Sequence, residues 1–121
     1  MKQKVHSVSY LAKAEFEFKN GVYDLVAIPS GAEVIKVALE VIGNTTGSGT
    51  VSVGFKDETN KNYFLTLEEL TDKNHATSAK YYTATSNKVV VAEVKNVTDN
   101  NIRRGVLRVL YFLPSVIEVE Y

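Results

Sequence analysis

Residues Tyr23 to Phe55 read YDLVAIPSGAEVIKVALEVIGNTTGSGTVSVGF. Ile28-Pro29-Ser30-Gly31-Ala32 has the composition of a turn. After it, Ile35, Val37, Leu39 and Val41 alternate with Lys36 and Glu40, the period-2 signature of a strand with one buried face. The loop Gly43-Asn44-Thr45-Thr46-Gly47-Ser48-Gly49 follows. Then Val51, Val53 and Phe55 alternate with Ser52, Gly54 and Lys56. The pattern predicts a long hairpin of two strands, Val34 to Ile42 and Thr50 to Lys56. Its core residues are Val37, Leu39, Val53 and Phe55.

The theme repeats along the chain. Tyr10, Ala12, Ala14, Phe16 and Phe18 alternate with Leu11, Lys13, Glu15, Glu17 and Lys19, so the even positions are expected inside. Asn20-Gly21 is a hairpin signal, because both residues tolerate positive φ. Val22 to Ile28 is then the return strand, ended by Pro29. Tyr63-Phe64-Leu65 is a short strand. Thr66-Leu67-Glu68-Glu69 matches a capping box but leads into at most a turn or two of helix. Thr71 to Ala79 reads as an exposed loop and Lys80 to Thr83 as a strand. Val89 to Val94 places Val90, Ala92 and Val94 on one face. Asn96 to Arg104 is polar and reads as a loop. Gly105 opens the strand Val106 to Leu113, Pro114-Ser115 breaks it, and Val116 to Tyr121 closes the chain. Roughly eight to nine short strands without a long helical period predict an all-β, antiparallel β-sandwich, jelly-roll-like, in one domain over residues 1–121 with a short N-terminal arm.

Composition excludes several functions. The chain has 121 residues and no cysteine, which removes disulfides, thiolate zinc sites and cysteine nucleophiles. Fourteen basic and fourteen acidic residues give zero net charge, without the basic excess that phosphate backbones require, so no nucleic acid is expected as partner. No apolar run approaches the roughly 20 residues of a membrane span, and no membrane association or secretory signal is expected. Asn44-Thr45-Thr46 and Asn96-Val97-Thr98 match the glycosylation sequon by chance.

Candidate chemistry is sparse. His6 and His75 stand far apart, and neither has a histidine or carboxylate at metal-ligand spacing, so no metal and no cofactor are expected. The Gly43 to Gly49 loop lacks the Lys-Ser/Thr ending of a phosphate loop and opens into a strand. Glu15 with Glu17, and Glu118 with Glu120, share strand faces as glycosidase carboxylates can, but at ordinary solvent-facing positions. Arg103-Arg104 is a basic doublet that could reach an acidic neighbour, with a solvated loop as the default reading. The most unusual strand is Val106 to Leu113. Leu107, Val109, Tyr111 and Leu113 fill one face. Val106, Leu110 and Phe112 fill the other, interrupted only by Arg108. A strand apolar on both faces is covered on both. The second cover is the arm, the tail or a partner chain, which makes Val106, Arg108, Leu110 and Phe112 the candidate interface.

Asp24-Leu25-Val26-Ala27-Ile28-Pro29-Ser30-Gly31-Ala32, Val34 to Leu39, and Val51-Ser52-Val53-Gly54-Phe55 together resemble small virion proteins of tailed bacteriophages. These carry an l-x-x-iP-x-Ga-x-v-x-x-v stretch followed by l-x-v-G. Gly105-Val106-Leu107-Arg108-Val109-Leu110-Tyr111 is similar to their closing strand. The resemblance implies a non-enzymatic β-sandwich or jelly roll that decorates or cements the outer capsid surface at junctions of the major capsid protein. It also implies a homo-oligomer, often a trimer, made in the bacterial host cytoplasm and located in the virion; other members sit in head fibres or tails. The alternative from a different class is a carbohydrate-binding, adhesin or tail receptor-binding module. Tyr63, Phe64, Tyr81 and Tyr82 would then offer stacking faces for sugars.

Overall fold

The computed structural model describes residues 2–43, 47–68, 74–114 and 116–120, with residue 2 and residues 116–120 described as backbone alone. Its strands are β1 (Lys2–His6), β2 (Ser9–Glu17), β3 (Gly21–Ile28), β4 (Glu33–Gly43), β5 (Thr50–Phe55), β6 (Leu65–Leu67), β7 (His75–Ser78), β8 (Tyr82–Thr83), β9 (Lys88–Lys95), β10 (Arg103–Phe112) and β11 (Val116–Glu120). One sheet runs β2-β10-β4-β7, with β8 also on β4; the facing sheet runs β3-β9-β5-β6. Every pairing is antiparallel. The pairs β2–β10, β3–β9, β4–β7 and β5–β6 nest one inside the next. That is one long antiparallel ribbon wrapped into two sheets, the jelly roll.

This wrapping overturns two expected hairpins. β2 and β3 lie in different sheets, and so do β4 and β5. At the corner after β2, the Phe18 amide donates to the Arg103 carbonyl at 3.0 Å. Asn20 spends its side-chain amide on Val97, donating to its carbonyl at 3.1 Å and accepting from its N–H at 2.9 Å. Asn20-Gly21 is therefore a bridge between sheets and not a hairpin turn. β4 ends at Gly43 in one sheet and β5 begins at Thr50 in the other. Alternation reports which face of a strand is buried; it carries no information about which strand lies beside it.

Two bulges interrupt the ladders, and the first corrects the phase expected for β4. β4 slips against β10 after Leu110, where Lys36 pairs with Leu110 and Val34 with Tyr111. Ile35 is the extra residue, and Val34 takes the core position. A similar slip between Asp24 and Val26 sets Leu25 out of register. The polar region Thr71 to Ala79 contains β7, and Thr66-Leu67 belongs to strand β6; Glu69 lies outside the described residues. The strand count exceeds the expected eight to nine because the arm forms β1 and the region expected as a loop contains β7.

The core joins both sheets through Phe18, Val37, Leu39, Val53, Phe55, Val90 and Leu107. Phe16 pairs with Gly105 in register, and its ring lies where a Cβ on Gly105 would stand. Only glycine admits that ring, which also stacks on Tyr23 at 5.4 Å. On the outer side of the second sheet, Val91 is fully buried although it points away from the core. It pairs with Gly54, and a Cβ there would meet the backbone of Lys61 to Tyr63 within 2.8 Å. The polar loop after β5 therefore folds back over this sheet, fastened by the Lys88–Asp57 ion pair.

The arm and the tail pair with each other. Lys2 to His6 runs antiparallel to Val116 to Glu120. The Leu113 amide donates to the Val8 carbonyl at 2.8 Å, and His6 Nδ1 lies 3.0 Å from the Leu113 carbonyl. The β2–β10 ladder thus continues into a two-stranded ribbon. One edge of the arm is hydrogen-bonded to the tail.

Candidate functional site

The outer face of the β2-β10-β4 sheet presents alternate residues of its three main strands. Along β10 these are Arg104, Val106, Arg108, Leu110 and Phe112, flanked in register by Glu17, Glu15, Lys13, Leu11 and Ser9 of β2. On β4 the flanking residues are Ile42, Glu40, Ala38 and Lys36, with Glu33 beside Phe112 after the bulge. The face divides into two halves. In the upper half, Arg104 pairs with Glu15 and Arg108 with Glu40, each at 3.4 Å. Val106 lies between the two carboxylates and is 1% exposed within the single chain. The aliphatic stems of that charged frame enclose it. In the lower half, Leu110 and Phe112 are half-buried beside Leu11, which is 65% exposed.

The candidate interface residues are therefore not equivalent. Val106 is enclosed by its own sheet, Arg108 is held by Glu40, and Leu110 and Phe112 remain partly open. Leu11 belongs with them and was missed, although an apolar residue on the polar face of β2 is the signal that marks it. Tyr10, expected inside, is half exposed and tilts against Tyr111 at 5.8 Å between ring centroids; it lies where the sheet runs into the arm–tail ribbon.

A second feature lies at the opposite end of β10. Arg103 was expected in a solvated loop, yet it is 4% exposed. Its Nη2 donates to both Asp99 carboxylate oxygens at 3.0 Å and to the Ser48 carbonyl at 2.9 Å. Its guanidinium carbon lies 4.7 Å from the centre of the Phe18 ring. Asp99 accepts from the Ser48 N–H at 2.7 Å, the Ser48 hydroxyl at 2.8 Å and the Asn101 N–H at 2.9 Å. The glycine-rich connection after β4 is thereby pinned to the loop before β10. Those donors hold the Asp99 carboxyl down, from the ordinary 3.8 to about 2, the Ser48 N–H first, then its hydroxyl, with Arg103 adding to them.

The stability that follows from a depressed carboxylate is complete above its unfolded value and is lost as pH falls through the folded one. Asp99→Asn is expected to lower the thermal midpoint at neutral pH. The gap from the unaltered chain should narrow as pH drops from about 4 towards about 2. A gap independent of pH over that window, followed by thermal melts in a pH series, would assign the loss to shape and not to charge.

The remaining candidates resolve as follows. Tyr63, Phe64 and Tyr82 gather on Phe55 with ring centroids 4.4 to 5.3 Å from it. Of the four aromatics offered as a sugar platform, Tyr81 alone is exposed. His75 lies on the edge strand β7, and among the described residues no group of three or more histidines or acidic residues could hold a metal ion. Glu15 and Glu17 are paired with Arg104 and Lys19. The side chains of Glu118 and Glu120 lie outside the described residues. Among the described residues, no helix is long and apolar enough to cross a membrane.

No protein-family model and no curated protein matches the chain. Solved structures do. A chain of the acid-stable capsid of Helicobacter pylori bacteriophage KHP30 is 74% identical, with TM-score 0.91 and 100% of both chains covered. A chain of the cyanophage Pam1 capsid asymmetric unit is 20% identical, with TM-score 0.71, covering 88% of this chain and 85% of that one. A chain of the capsid of Ralstonia phage GP4 is 15% identical, with TM-score 0.67, covering 92% and 88%. The latter two share the fold; the first shares the sequence throughout. The chain belongs to the small β-sandwich capsid proteins of bacteriophages, and it is a structural component of the virion.

Proposed function

We propose that this capsid component is a decoration, or cement, protein. It self-associates as a trimer, sits on the outer surface of the shell, and reinforces junctions between major capsid subunits. The observation that carries the reading is the divided outer face of the β2-β10-β4 sheet. Its upper half is closed by ion pairs, and its lower half leaves Leu11 exposed and Leu110 and Phe112 partly exposed to a neighbour. An apolar cluster rimmed by charge is the ordinary anatomy of a protein contact. Arg108, fixed by Glu40, marks the border and sets register, while Val106 forms the floor beneath the frame.

The mechanism is burial. Apolar area removed from water contributes about 25 cal/mol per Å² before association costs are subtracted. Linking several binding ends in one oligomer makes each further contact effectively intramolecular. The test is add-back to shells that lack this protein. Saturable co-sedimentation at a fixed ratio to the major capsid protein is the expected result. A chain that stays in the supernatant at all concentrations would overturn the reading.

A further inference from the structure

Exposed apolar surface concentrates where β2 and β10 run into the arm–tail ribbon. Three of the seven exposed large hydrophobics among the described residues, Val8, Tyr10 and Leu11, fall within four consecutive positions, at 40%, 50% and 65% exposure. Tyr10 and Leu11 are adjacent on one strand and therefore point to opposite faces of the sheet. Leu11 lies on the outer face, in register with Leu110. Tyr10 continues the row of Ala12, Ala14 and Phe16, which faces the other sheet, and it is in register with Tyr111. Ala12 still packs on the core, while Tyr10 does not. The cover given by the other sheet thus ends between them. The strip made by these ends of β2 and β10 is apolar and open on both faces.

Openness on both faces selects the occupant. A shell surface meets one face of a strip. A closed ring of copies meets both, because each subunit offers one patch to the neighbour before it and a different patch to the neighbour after it. Charge opposes the other way of joining copies, outer face on outer face. Lys13 and Lys36 stand in register beside Arg108 and Leu110, and neither has a carboxylate partner among the described residues. Like on like would crowd the unpaired lysines of both copies around one apolar cluster. Stacking the outer face on the Tyr10 face brings in one set only. The tyrosine side is also ready-made. Tyr10 and Tyr111 already lie against each other at 5.8 Å between ring centroids, so a neighbour meets an ordered aromatic surface at small ordering cost. Beyond the strip the chain continues as a sheet of two strands only, an arrangement that needs further packing to be stable in water.

We propose, resting on the self-association proposed above, that copies of this chain close into a ring through a heterologous contact. The face of Leu11, Leu110 and Phe112 on one strip packs on the Tyr10–Tyr111 face of the next. Every strip is then covered twice, and closure leaves neither patch unused.

The test removes the two patches separately. Tyr10→Asp and Leu11→Asp are each expected to associate more weakly than the unaltered chain by about tenfold or more, because every contact in the ring needs both patches. Mixed in equal amounts, the two variants are expected to form a dimer that neither forms alone. It uses the intact outer face of Tyr10→Asp and the intact tyrosine face of Leu11→Asp; sedimentation velocity reads it. A photo-crosslinking phenylalanine analogue in place of Tyr10 keeps an aromatic ring there. Its adduct is expected on Leu11 or on Leu110 to Phe112 of another copy, and this result decides the matter if Tyr10→Asp fails to fold. Either variant associating like the unaltered chain, a mixture of folded variants that stays monomeric, or an adduct absent or found elsewhere overturns the ring contact and leaves self-association standing. An unaltered chain that is monomeric at all concentrations overturns both, while shell binding is read independently by add-back.

Discussion

Phe55→Ala is expected to destabilise the isolated protein by about 3–5 kcal/mol, the range for deleting a buried aromatic ring. Phe55 is 0% exposed and sits at the end of β5. Tyr63, Phe64 and Tyr82 all pack against it. These come from the loop that folds back over Gly54 and from the short strand β8, which has few other attachments. The cavity therefore cannot collapse without releasing one of them. Given the roughly 5–15 kcal/mol typical of a domain, such a loss is a large share of the total. Chemical denaturation should show the midpoint falling with the slope unchanged. A shift below about 1 kcal/mol would mean that the aromatic cluster is surface packing and not core.

Phe112→Asp addresses association. An aromatic side chain buries about 150–250 Å² when fully covered. Phe112 is partly buried in the single chain and near the end of β10, and the part of the ring still exposed is what a neighbour would cover. An aspartate there places a charge in the contact, which costs more than removing the ring. Self-association should weaken at least about 100-fold, or about 2.8 kcal/mol at 1.4 kcal/mol per decade. The far-ultraviolet circular dichroism should remain that of a β protein. Sedimentation equilibrium reads the first and dichroism the second. Unchanged association would place this face in solvent, and a loss of fold would mean that the ring serves the single chain.

The contrast between these residues shows how much was legible in the sequence. Phe55 was placed in the core by alternation alone, as were Val37, Leu39, Val90 and Leu107, because period 2 is a direct imprint of one-sided burial. Pairing was not legible. The strongest hairpin signal, Asn20-Gly21, marks a corner between sheets, since Asn20 bonds to Val97. A nested ribbon brings together strands far apart in the chain, such as β2 and β10, and nothing local encodes that. The bulge at Ile35 was equally hidden, because Val34 and Ile35 are both apolar and either suits the inner face. For the site, the two apolar faces of the strand were legible; at Val106, which is buried within the single chain, ion pairs on adjacent strands flank the valine, and only the fold brings them there. Arg103 looked like a solvated doublet because its partners, Asp99, Ser48 and Phe18, meet only in three dimensions.

The measurement closest to the central claim is the disruption midpoint, by heat or denaturant, of shells lacking this protein compared with the same shells after it is added back to saturation. A decoration protein that cements subunit junctions raises the midpoint in proportion to occupancy, by linkage of binding to the assembled state. Phe112→Asp should forfeit most of that gain. Full occupancy with an unchanged midpoint would contradict the account, because the protein would then ride on the shell without holding it together.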